Sequence, residues 1–142
     1  MTVLLDAFAL IALLRDEPAA GEVEGLLRRG EAAVTAINLA EALDVLERVD
    51  GVPRARLDEL TGPLVAESLR LVEVDERLAR DGASLRARHY HRSRSPLSLA
   101  DCVLLAAASG ASLATADPPL ARAARAEGIE IHPLQDSRGR RP

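Results

Sequence analysis

The chain has 142 residues, 48% hydrophobic and 28% charged, a balance that fits one globular domain and excludes a disordered chain. Its net charge of −4 argues against non-specific coating of nucleic acid, and its single cysteine excludes a disulfide framework and every multi-cysteine zinc module. All 18 Lys+Arg residues are arginine. That removes nucleotide-binding P-loops, protein kinases and Schiff-base enzymes, each of which needs a lysine.

The elements follow in chain order. Val3-Leu4-Leu5 reads as a short strand ending at Asp6, and a helix through Leu10, Ile11, Leu13 and Leu14 stops at Asp16-Glu17-Pro18. A helix over about 19–29 ends at Gly30, and Ala32 to Thr35 reads as a strand. Helices are expected over about 38–49 and 54–67, separated by Gly51 and Pro53. Leu69 to Val74 alternates like a half-buried strand, and a helix over about 76–90 leads into a loop at Ser93–Pro96. Leu99 to Ala108 is apolar apart from Asp101 and is expected deep in the core. A strand at 112–114, a helix at 118–126 and a strand at 129–131 complete the pattern. Residues 1–135 read as a single domain, with 136–142 a disordered basic tail. No apolar stretch is long enough to span a membrane, and the start does not resemble a signal peptide, so a cytoplasmic protein is expected.

Alternating strands and helices imply an α/β fold, with parallel strands joined by crossover helices on both faces. In such sheets the ligand lies beyond the carboxyl ends of the strands. Four acids sit at those junctions: Asp6, Glu41, Asp101 and Asp117. Each has a local explanation. Asp6 and Asp117 suit helix N-caps, the latter before Pro118, while Asn38-x-x-Glu41 and Ser98-x-x-Asp101 resemble capping boxes. Asp101 resists that reading alone, because it heads the apolar run Cys102–Ala108. Taken jointly, four converging carboxylates repel one another, by about 3 kcal/mol for each pair ~5 Å apart at an effective dielectric of ~20. Such a cluster raises its own pKa values or attracts a hard divalent cation, Mg²⁺ or Mn²⁺, and zinc lacks ligands here.

Val3-Leu4-Leu5-Asp6, Thr35-x-x-Asn38-Leu39-Ala40-Glu41, Leu99-Ala100-Asp101 and Thr115-Ala116-Asp117 resemble, in order and spacing, the PIN-domain nucleases, and among them the VapC-type toxins of bacterial toxin–antitoxin pairs. The resemblance covers about residues 2–132. It implies a three-layer α/β/α sandwich on a mostly parallel sheet of about five strands, Mg²⁺- or Mn²⁺-dependent endoribonuclease activity, a homodimer and an antitoxin whose tail blocks the site. Carried over, Asp6, Glu41, Asp101 and Asp117 are the acidic quartet, with Asp6 and Asp101 the foremost direct ligands. Thr115, Asn38 and Thr35 would support them. One departure stands out: Ala7-Phe8 follows the first aspartate where these toxins often carry a hydroxyl or amide.

Arg86, Arg88, Arg92 and Arg94 lie in an acid-free stretch from Gly82 to Ala100. They read either as a basic lip that grips RNA phosphates or as a solvated helix end favoured by the dipole. The same fold would also serve a housekeeping RNA-processing nuclease or a catalytically weak binding module. A phospho-acceptor receiver domain, which also gathers acids at strand ends, needs a lysine that this chain lacks.

Overall fold

Val3–Leu5 forms β1, Ala32–Thr35 β2, Arg70–Val72 β3, Ser112–Thr115 β4 and Glu130–Pro133 β5. In this computed structural model, which describes residues 1–142, they build one all-parallel sheet in the order β3-β2-β1-β4-β5. β1 lies at the centre, flanked by β2 and β4, and all three of its residues are buried. A strand covered on both faces needs an unbroken apolar run rather than alternation, which is why Val3-Leu4-Leu5 carries no polar residue.

Seven α-helices connect the strands: α1 Ala7–Arg15, α2 Ala20–Arg28, α3 Ala36–Asp44, α4 Arg54–Glu67, α5 Glu76–His89, α6 Leu99–Ala107 and α7 Pro118–Ala126. They form two outer layers. Val3 and Leu5 pack with Leu10, Val23, Leu26, Ala42 and Leu57 on one face, while Leu4 packs with Leu104, Leu105, Leu120 and Ala124 on the other. The result is the expected three-layer α/β/α sandwich. The chain steps from β1 outward to β2 and β3, then crosses to β4 and β5 on the opposite side. That reversal opens a crevice at the carboxyl ends of β1 and β4, where an open α/β sheet places its ligands.

Several boundaries differ from the sequence reading. The helix expected from 38 begins at Ala36, because the Thr35 hydroxyl accepts the Asn38 N–H at 3.1 Å and caps it two residues earlier. The expected Asn38–Glu41 capping box therefore does not form. The helix then widens into one π turn over Val45–Val49 before Asp50 and Gly51 end it. The strand expected over 69–74 shrinks to Arg70–Val72, a partly exposed edge, since Asp75 turns outward to cap α5. Residues 136–142, read as a disordered tail, carry a turn in which Asp136 Oδ1 accepts the Arg138 and Arg140 N–H groups at 2.8 Å each. Arg141 reaches Glu22 of α2 at 3.0 Å. An aspartate that bonds its own following backbone supplies the local order that a segment without apolar side chains otherwise lacks. No helix is long and apolar enough to cross a membrane.

α5 and α6 approach closely at Gly82. A Cβ there would meet Val103 Cγ2 at 2.8 Å and the Val103 Cα at 3.0 Å. Gly82→Ala should therefore destabilise the fold by about 1–3 kcal/mol in urea unfolding, since the packed backbone must shift. Gly62→Ala, where nothing lies within 4 Å, should be neutral or gain up to about 1 kcal/mol from the lost glycine entropy. Equal responses of the two variants would disprove the tight crossing.

Candidate active site

Three of the four acids begin helices at the carboxyl edge of the sheet, and each commits one oxygen to capping. Asp6 Oδ1 accepts the Ala9 N–H at 2.8 Å. Asp101 Oδ2 accepts the Ser98 N–H and Ser98 Oγ accepts the Asp101 N–H, both at 3.0 Å, a complete capping box. Asp117 Oδ2 accepts the Leu120 N–H at 3.1 Å ahead of Pro118 and Pro119. The local reading of these three aspartates thus describes their hydrogen bonds correctly, and the second oxygen of each lies outside the capping bond. Glu41 caps nothing. It is a half-buried residue on α3, six residues beyond the end of β2.

Electrostatics ties the four together. Asp101 is the common neighbour, its charge raising the pKa of Asp6, Glu41 and Asp117. Asp6, 3% exposed at the end of the central strand, has its carboxyl pushed up from 3.8 to about 7. Burial is the main cause, with Asp101 and Asp117 adding to it, while the Thr115 hydroxyl and the Ala9 N–H pull the other way. Burial likewise raises Glu41, helped by Asp101 and Asp44. Asp117, at the exposed rim, is raised by partial burial and by Asp101 against the opposing pull of the Leu120 N–H and Arg122. The four carboxylates do not close into a shell: no three acid, histidine or cysteine side chains stand close enough to share an ion as they are.

The supporting residues surround this cup. Thr115, fully buried at the end of β4, faces Asp6 and accepts the Asp117 N–H at 3.0 Å, so one hydroxyl serves two of the acids. Thr35 donates to Asn38 Oδ1, and the fully buried Asn38 Nδ2 has no partner. A buried donor left unpaired costs about 1–3 kcal/mol. Asn38 precedes Glu41 by three residues on the same helix face, so this amide belongs to the wall below Glu41. Cys102, next to Asp101, is buried and its thiol is pushed up to about 11, which removes it as a nucleophile.

A family model described as "PIN domain" matches residues 3–126. The chain belongs to the PIN domain family. A comparison with curated proteins finds no match. Among solved structures, VapBC2 from Rickettsia felis, bound to a DNA fragment from its promoter, is similar with a TM-score of 0.64 and 15% identity, over 93% of this chain and 98% of that one. FitAcB from Neisseria gonorrhoeae gives a TM-score of 0.60 and 21% identity over 92% and 96%. A toxin–antitoxin complex from Klebsiella pneumoniae gives 0.55 and 20% over 82% and 87%. At these identities the likeness is one of fold.

The four arginines of the basic stretch occupy different environments in this PIN domain. Arg88 pairs with Glu127, together with His89. Arg86 donates Nε–H to the Leu97 carbonyl at 3.0 Å and stacks 4.4 Å from the Tyr90 ring centroid. Arg92 and Arg94 sit on a short exposed loop, closed by the His91–Ser95 pairing and by His91 Nδ1 accepting the Ser93 and Arg94 N–H groups. Sequence reading missed Arg122, whose charge acts on Asp117 from within α7. Its only signal was the spacing of five residues, just over one helical turn.

Asp6 makes the fold sensitive to pH. Its folded pKa is about 7 against an ordinary 3.8, so the folded chain retains a proton that the unfolded chain has lost between those values. The stability associated with it is complete below about pH 4 and falls as pH rises through about 7. Asp6→Asn keeps the cap acceptor and removes the titration. Measured by urea unfolding, wild type should lose roughly 2–3 kcal/mol relative to this variant between pH 5 and pH 8. A difference that stays constant over that range would refute the buried-carboxyl account.

Proposed function

We propose that this PIN domain is a divalent-metal-dependent endoribonuclease and the toxin of a toxin–antitoxin pair. The observation that carries the reading is the mutual charge coupling of Asp6, Glu41 and Asp117 through Asp101 at the crevice where the sheet reverses direction. An all-carboxylate donor set of this kind suits Mg²⁺ or Mn²⁺, whose preferred ligands are hard oxygens. The donor chemistry fits. So does the raised Asp6 carboxyl, whose ionised form lacks a compensating cation among the protein's own groups.

Asp6, Asp101 and Asp117 would hold the ion, with their caps fixing where each carboxylate stands. When bound, a divalent ion supplies activated water and neutralises charge on the scissile phosphate. Thr115 orients Asp6 and anchors the backbone of Asp117. Glu41, half-buried and with its pKa raised by burial and by Asp101, would be the acceptor for a proton of the attacking water. Asn38 contributes its unpartnered amide on the same face of α3, a donor for that water or for Glu41. Ala7 and Phe8 offer no polar side chain, so the supporting role falls to Thr115, Asn38 and the Thr35 that bonds Asn38.

The partners of this reading are RNA, an antitoxin and a second copy of the chain. The Klebsiella structure is of a toxin–antitoxin complex, and the VapBC2 structure includes promoter DNA. Exposed Ile37, Val74 and Leu99 form part of an apolar groove beside the acids, which supports a protein neighbour at the mouth of the site.

Two measurements test the reading. Millimolar Mn²⁺ should raise the melting temperature by several degrees, since a ligand that binds only the folded state stabilises it. Asp101→Asn, which keeps an acceptor for the Ser98 N–H, should leave the metal-free fold at least as stable and reduce RNA cleavage more than ~100-fold, beyond the loss typical of an outer-shell partner. Wild-type protein that melts at the same temperature with and without Mn²⁺, or an Asp101→Asn variant that still cleaves, would overturn the assignment.

A further inference from the structure

The arginines divide into two populations. Eleven of the eighteen pair with a carboxylate, as in Arg15–Asp50, Arg54–Glu47 and Arg80–Glu76. Of the seven that do not, Arg86, Arg92, Arg94 and Arg122 gather at one edge of the molecule. They come from three elements: α5, the loop after it, and α7. The path of the chain explains why. Arg88 and His89 dock on Glu127 just beyond the end of α7, and the Arg94 carbonyl accepts from Arg122 at 3.1 Å near its middle. The segment from 88 to 94 therefore runs back along α7 towards its first residues, and that direction leads to Asp117. Arg122 lies five residues from Asp117, an axial rise of about 7.5 Å along the helix. Arg86, tied to the Leu97 carbonyl, carries the same charge to the start of α6, where it acts on Cys102 beside Asp101.

From this layout we infer that Arg122, with Arg94 and Arg92 on the loop it holds, forms a phosphate-binding rim that grips the RNA backbone next to the acidic cup. The inference rests on the RNA-nuclease reading and adds its docking surface. A cup of four carboxylates repels a polyanion, and a chain with net charge −4 offers no general attraction. Guanidinium groups without a carboxylate partner keep most of their donors for phosphate oxygens, in bidentate geometry where the approach allows. Arg122 has a double role. One nitrogen fixes the loop through the Arg94 carbonyl, while its charge stands beside Asp117. Arg88, flagged in the sequence, is not part of the rim because Glu127 neutralises it.

The test is binding, kept apart from cleavage. A fluorescein-labelled single-stranded RNA is titrated in EDTA at several salt concentrations, using two unrelated sequences. Arg122→Ala and Arg94→Ala should each weaken binding several-fold for both sequences, and each should reduce the slope of log K against log salt by about 0.7. Arg80→Ala, which removes an arginine already paired with Glu76, should leave slope and affinity unchanged. Arg94→Ala guards against a purely structural effect, because it deletes an exposed side chain and retains the backbone carbonyl that Arg122 holds. If both rim variants keep the wild-type slope, or if Arg80→Ala lowers it equally, the rim is refuted. Failure of the nuclease reading would look different: Asp101→Asn would still cleave, whatever the rim variants did to binding.

Discussion

A carboxyl group is buried at the end of the central strand, and the arrangement of the cup follows from that burial. β1 is three residues long and enclosed on both faces, so the side chain that follows it emerges where protein still surrounds it on most sides. Placing an ionised carboxylate there is unfavourable unless something compensates, and the fold supplies only a backbone N–H and a threonine hydroxyl. The remaining imbalance appears as a carboxyl held near neutrality, with two further aspartates making its ionisation harder still. A fold selected for stability alone would place an apolar side chain at this position. The strain is instead local to the crevice where the sheet reverses, in keeping with the tendency of perturbed groups to mark functional sites.

The caps and the cup are one arrangement rather than competing explanations. A helix start gives an aspartate a fixed rotamer and a backbone partner, and three helices starting at one edge of a sheet deliver three such aspartates to a common space. Capping therefore orders each aspartate singly before any ligand arrives, while the three stand too far apart to share an ion as they are. Glu41 differs in kind. It stands on α3, which the Thr35 cap begins at Ala36, and lies three residues after Asn38 on the same side of the helix.

Charge is sorted by the same geometry. Most arginines cover the helix surfaces as exposed ion pairs of little individual energetic weight. Among those left without a carboxylate, Arg122 acts on Asp117 and holds the loop that carries Arg92 and Arg94, so positive charge stands near one of the acids while the whole chain remains acidic.

Much of this was legible in the sequence. Short apolar or alternating runs marked the five strands in the chain, and the rule placing ligands at strand ends singled out Asp6, Glu41 and Asp117. Asp101, expected at such a junction, instead opens α6 after the loop from α5. Local pattern also identified the Ser98–Asp101 box and the Asp117 cap, since both depend on residues three apart. It misjudged the start of α3, where two polar residues competed for one cap and Thr35 prevailed over Asn38. Only the tertiary structure decided that Asp101 touches the fields of all three other acids, that Arg88 belongs to Glu127, and that Arg122 stands with the loop and Asp117. The reason is physical: hydrogen bonds within a helical turn are set by neighbours in the chain. Partners sixteen to ninety-five residues apart, by contrast, are chosen by how the helices pack on the sheet, a choice no single segment encodes.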